Sequence, residues 1–148
     1  MMQTDPDIIA LGYEPDLKPI DPYEVLIGPF YARREPEGDY SYAFRIGAQH
    51  TNVNEIAHGG MLMSFADSVV ANAAFAANDG MPAVTLSMNT TFLAPGRIGD
   101  LVETRPRLVR RTREIIFVDA DFQAGGETVL SVKSLWKVIR LRKTQAAV

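Results

Sequence analysis

Cysteine is missing from all 148 residues. That excludes disulfides, a thiolate nucleophile and any Cys-ligated metal centre, and it suits a reducing compartment. Histidine is nearly as scarce, with only His50 and His58, seven intervening residues apart in a segment that reads as a loop. A metal site is therefore not expected. The first residues show no basic stretch leading into an apolar one, and no later run approaches the roughly 20 apolar residues of a membrane span. A cytoplasmic protein with no membrane partner is the expectation. The net charge is −3, and no basic platform interleaved with aromatics appears, so nucleic acid is not an expected partner either.

What is present fits one globular domain, since 47% of the residues are hydrophobic and the length allows a single substantial core. Residues 1–26 read as an N-terminal leader rich in acids, among them Asp5, Asp7, Glu14, Asp16, Asp21 and Glu24, extended or loosely packed. Residues 27–142 form the expected domain, and 143–148 a C-terminal tail. Within the domain, Tyr40, Tyr42, Phe44 and Ile46 alternate with smaller or polar residues after a turn at Glu35–Gly38, which predicts a hairpin with its aromatics facing the core. Over 59–78 the period changes to that of a helix, with Leu62, Phe65, Ala66, Val69, Ala73, Ala76 and Ala77 on one stripe.

Alternation then returns. Leu86, Met88, Thr90 and Phe92 are expected on one face of a strand, and Thr85, Ser87, Asn89 and Thr91 on the other. Three further β-rich segments follow near 100–111, 113–123 and 127–141, the last two joined at Gly125-Gly126. Two strands, one long helix and about four more strands point to an antiparallel sheet wrapped around the helix. The second face of such a sheet needs a partner or must be polar.

Most of the candidate chemistry lies in the eighteen residues from His50 to Asp67. A polar loop runs through His58-Gly59-Gly60 into the helix, and a Gly-Gly start lets another molecule approach the unpaired N–H groups of the first turn. Asp67 is off the apolar stripe. At 100° per residue it shares a separate face with Gly60, Ser64, Ala71 and Ala74, small residues that suit close approach by a ligand or a second subunit. Six arginines crowd residues 97–113; they read either as a solvated strand face or as a docking surface for a phosphorylated ligand.

The pattern His50-x-Asn52-x5-His58-Gly59-Gly60-x6-Asp67, followed by Val84-Thr85 and a strand ending Phe92-Leu-Ala-Pro-Gly, resembles the PaaI-type acyl-CoA thioesterases of the hotdog superfamily. The resemblance implies an α+β hotdog fold, a curved antiparallel sheet of about five or six strands around one long central helix. It also implies a homodimer that commonly pairs into a homotetramer, and an acyl-CoA substrate with no bound cofactor. Carried over by residue, it implies that Asp67 is general base or nucleophile and that the Gly59 amide polarises the thioester carbonyl. Asn52 positions substrate or water, His58 assists at the thioester, and Thr85 orients water. Gly60 and Ser64 then border the substrate, and Arg110, Arg111 and Arg113 are the candidates for the CoA phosphates. One departure stands out: Glu55 occupies a place where the family usually has glycine, which changes the backbone angles open to the loop.

Helix geometry adds a constraint of its own. Gly59 and Asp67 are eight residues apart on one expected helix, about 12 Å along its axis, too far to flank one carbonyl at about 3 Å each. If both act, they come from different chains. The alternatives are a hotdog hydratase or dehydratase and a non-catalytic acyl-CoA-binding module. The residue spacing follows the thioesterase pattern better than the first, and a pure binder has no need of an aligned base.

Overall fold

The computed structural model describes residues 4–16 and 21–140; the tail at 143–148 lies outside them, as do parts of the leader. In chain order the elements are α1 (Pro6–Ala10), β1 (Glu14–Pro15), α2 (Pro22–Ile27), β2 (Tyr31–Arg34), β3 (Tyr40–Arg45), a 3₁₀ turn (Ala48–His50), α3 (Gly59–Ala77), β4 (Ala83–Phe92), β5 (Leu101–Thr104), β6 (Arg107–Arg111), β7 (Ile115–Ala124) and β8 (Glu127–Val138). All strand pairings are antiparallel, in the order β1-β2-β3-β5-β7-β8-β4, with β6 also on β7. β5 and β6 lie on the same edge of β7, at Thr104↔Phe122 and Arg107↔Asp119. The segment expected as one strand over 100–111 is thus one strand position broken at Arg105-Pro106. The curved, open sheet is six positions wide, with β1 as a short addition, and wraps α3 in a hotdog fold.

The core forms where α3 meets the inner face of the sheet. Phe65 sits at its centre, with ring centroids 4.8 Å from Phe30, 4.6 Å from Phe44 and 5.7 Å from Phe122. A fully buried side chain of this kind contributes about 2–3 kcal/mol. The buried side of α3 is Met61, Leu62, Phe65, Ala66, Val69, Val70 and Ala74, whereas Ala76, expected on the apolar stripe, is exposed. By length and apolarity α3 matches the composition of a membrane span, contrary to the expectation that no stretch approaches one. Here that apolarity fills the sheet's concave side. Of the hairpin aromatics, Tyr42 and Phe44 face the core with Ile46, and Tyr40 stays 43% exposed.

The described part of the leader is not loosely packed. Asp5 caps α1, accepting from the N–H groups of Asp7 and Ile8, and pairs with Arg45. Ile8 and Tyr13 are buried against Tyr31 and Ala43, which point away from the main core because their chain neighbours Phe30, Ala32, Tyr42 and Phe44 point into it. The leader therefore covers part of the sheet face that needed a partner.

Candidate active site

The loop before α3 is closed on itself. Asn52 N–H donates to Ile56 O at 2.9 Å and Glu55 N–H to Asn52 O at 3.0 Å, while Asn54 N–H donates to Asn52 Oδ1 at 2.9 Å. Asn52 thus forms an Asx turn, and its Nδ2 makes no hydrogen bond among the described residues. Glu55 sits at φ 58°, the left-handed region that glycine enters without a Cβ penalty. The loop keeps a glycine-like turn despite the glutamate. Glu55→Gly is accordingly expected to stabilise the protein by about 1 kcal/mol, read as a higher denaturation midpoint with unchanged m-value. A lower midpoint would show that the Glu55 side chain, not its backbone angle, dominates this position.

His50 is buried and ties three segments together. Its Nδ1 accepts from Gly47 N–H at 2.9 Å, and its Nε2 lies 2.7 Å from Ile27 O, so the ring proton belongs on Nε2. The His50 carbonyl accepts from His58 N–H at 2.8 Å. These bonds fix where α3 begins.

His58 is the N-cap of α3, its Nδ1 accepting from Gly60 N–H at 2.9 Å. That leaves Gly59 N–H without a partner among the described residues, at the positive end of a 19-residue helix. Both glycines serve close approaches. A Cβ on Gly59 would lie 3.2 Å from two ring carbons of Phe92, and one on Gly60 would lie 3.1 Å from His58 Nδ1.

Asp67 is exposed on α3, and Thr85 Oγ1 donates to its Oδ1 at 3.1 Å. This contact corrects the facing expected for β4. The register on β8 shifts between Thr85 and Ser87, and Thr85 pairs with Trp136 while Met88, Thr90 and Phe92 pair with Ser134, Val132 and Leu130. Directly paired residues share a face, so Thr85 lies with Met88, Thr90 and Phe92. One bulged residue, Leu86, reverses the alternation and turns the Thr85 hydroxyl towards the helix.

Ser64 Oγ donates to Gly60 O at 2.8 Å and lies 2.8 Å from the Tyr23 hydroxyl. Sequence reasoning missed Tyr23, although Asp21-Pro22 is a cap-and-first-turn signal for α2. On the next flank of α3, burial raises the carboxyls of Glu24 and Asp16; hydrogen bonds from Ser68 and Asn72 oppose that shift.

The arginine trio does not converge. Arg110 pairs with Phe117 and Arg111 with buried Ile116, so the two point to opposite faces of the sheet. Arg111 reaches inward to Asn78 Oδ1 at 3.1 Å, at the C-terminal end of α3, and shares a cavity of about 380 Å³ with Arg113 and Arg140. Among the described residues no cluster of three His, Cys, Asp or Glu side chains stands in position to hold a metal.

Within one chain the fold therefore sets a carboxylate with its hydroxyl partner midway along α3, and an open amide beside a capping histidine at its start. The two are about 12 Å apart along one axis. Residues 54–131 match a family model described as the thioesterase superfamily. The chain is 29% identical over 126 residues to a candidate esterase of Pseudomonas aeruginosa, covering 84% of this chain and 93% of that protein. It is 27% identical over 77 residues to mouse acyl-coenzyme A thioesterase 13, covering 52% and 55% of the two chains. Among solved structures, a mutant of the phenylacetic acid degradation protein PaaI from Thermus thermophilus superposes with a TM-score of 0.70 at 27% identity, covering 80% of this chain and all of that one.

Proposed function

The chain belongs to the thioesterase superfamily, and from that premise we propose that it is a PaaI-type acyl-CoA thioesterase whose site is shared between two subunits. The observation that carries the reading is the contact of Thr85 with Asp67, which lies on the same helix that opens with the Gly59 amide, unpaired among the described residues. Asp67 takes a proton from water as the water oxygen bonds to the thioester carbon. The carbonyl electron pair moves onto oxygen, where the Gly59 N–H of the other subunit donates to it; one such donor is worth about 10²–10³ in rate. Collapse expels the CoA thiolate, which takes the proton held by Asp67 and so restores the carboxylate. Thr85 holds one carboxylate oxygen so that the other faces the water.

Two features support a homodimer. The helix separation forbids Gly59 and Asp67 of one chain from flanking one carbonyl. Among the described residues β4 pairs only with β8, so its other edge is open, and Val84, Leu86 and Phe92 along it are each about half exposed, a surface suited to another strand edge. Arg111 and Arg113 stand by the C-terminal end of α3, about 16 Å along the axis from Asp67, and the reading gives them the CoA phosphates. Gly60, Ser64, Asn52 and His58 border the acyl end at the helix start.

A hydrolysis panel of aliphatic, hydroxylated and aryl acyl-CoAs, with released thiol as readout, tests this. Turnover of at least one class without added cofactor is expected. Binding without turnover across the panel would replace the hydrolase by an acyl-CoA-binding module.

A further inference from the structure

The side of the site next to α2 is built by residues outside the family match at 54–131. α2 is capped by Asp21, whose carboxylate accepts from the N–H groups of Tyr23 and Glu24, and ends at Ile27, whose carbonyl faces His50 Nε2 at 2.7 Å. Tyr23 is a further tether. Ser64 Oγ has one proton and gives it to the Gly60 carbonyl at 2.8 Å, so across the 2.8 Å gap between the two hydroxyls Tyr23 is the donor. The short helix is thus fixed at one end to the second turn of α3 and at the other to the histidine that sets where α3 begins.

This placement puts an aromatic ring beside the proposed reaction centre. At 100° per residue, Ser64 lies about 60° around α3 from Asp67, so Tyr23 stands on the shoulder of the Asp67 face. Tyr23 nevertheless stays 54% exposed and Leu26, in the same helix, 78%; their apolar surface has room for a further contact. A tyrosine with its hydroxyl held has little rotamer freedom left to lose, and makes a firm wall for a hydrocarbon group.

We propose that Tyr23 is a specificity-determining residue that limits the size of the acyl group on the α2 side of the site. The inference rests on the thioesterase reading above. Straight-chain acyl-CoAs from acetyl to dodecanoyl are compared by kcat/KM in the wild type, Tyr23→Ala, Tyr23→Trp and Tyr23→Phe. In parallel, binding of the matching non-hydrolysable thioethers is measured by calorimetry. Tyr23→Ala is expected to raise the long-to-short kcat/KM ratio about tenfold or more, the range that one or two misfitted methylenes command. Tyr23→Trp is expected to move the ratio the other way, and Tyr23→Phe to keep the wild-type ranking.

Equal scaling of all chain lengths in folded Tyr23→Ala and Tyr23→Trp would overturn the proposal and leave Tyr23 a structural tether. Should Tyr23→Ala not fold, the Tyr23→Trp ratio decides. A wild type that binds the thioethers with a length preference but hydrolyses nothing would defeat the thioesterase reading, and the binding ratios would then judge Tyr23. A wild type that neither binds nor hydrolyses defeats both.

Discussion

Asp67→Asn is expected to lower thioester turnover by at least about a hundredfold, the usual contribution of a general base, while acyl-CoA binding is largely kept. Asparagine retains an oxygen at the position of Oδ1, so the hydrogen bond from Thr85 Oγ1 survives, and the exposed side chain removes nothing from the core. What is lost is the second carboxylate oxygen, which an amide nitrogen cannot replace as a proton acceptor. The effect therefore belongs in kcat rather than in the dissociation constant. Single-turnover kinetics beside calorimetric titration separate the two. Near-normal turnover in a folded variant would remove Asp67 from the mechanism and return the site to the Gly59 amide and His58 alone.

The parts of this fold that were legible in the sequence are those with a strong period. α3 was expected over 59–78 and runs Gly59–Ala77, because its stripe of Leu62, Phe65, Ala66 and Val69 is unambiguous at 3.6 residues per turn. The sheet around it followed from counting faces: one helix and six β segments leave few other ways to bury the apolar residues. Asp67 off the stripe was readable for the same reason, and the structure leaves it exposed.

Single-residue irregularities were not legible. The bulge at Leu86 adds one residue to β4 and exchanges the faces of everything before it, so Thr85 moved from the outer face to the helix side. Nothing in Val84-Thr85-Leu86-Ser87 favours a bulge over plain alternation. The break at Arg105-Pro106 and the bulge in β6 likewise divided an arginine cluster that looks continuous in the chain. The packing of the leader was not legible for another reason. Its buried residues, Ile8 and Tyr13, are too few for any periodicity, and their partners Tyr31 and Ala43 come from a distant hairpin.

Subunit mixing is expected to restore activity between two inactive variants, because α3 carries both the Gly59 amide and Asp67 about 12 Å apart along its axis. One variant is Asp67→Asn. The other is Gly59→Val, in which the new Cβ meets the Phe92 ring at about 3.2 Å and the branched side chain covers the amide. In a two-fold dimer each site takes Gly59 from one chain and Asp67 from the other. A hybrid then has one site free of both lesions and one bearing both. With full exchange of equal amounts, half the dimers are hybrids, and the mixture should reach about a quarter of wild-type activity per chain, given two equivalent sites. Each variant alone stays inactive. Were both groups drawn from a single chain, every site in a hybrid would carry one lesion and no activity would return, even where heterodimers are verified by mass. Recovery thus depends on the shared site itself, and a dimer that merely stabilises two independent sites cannot produce it.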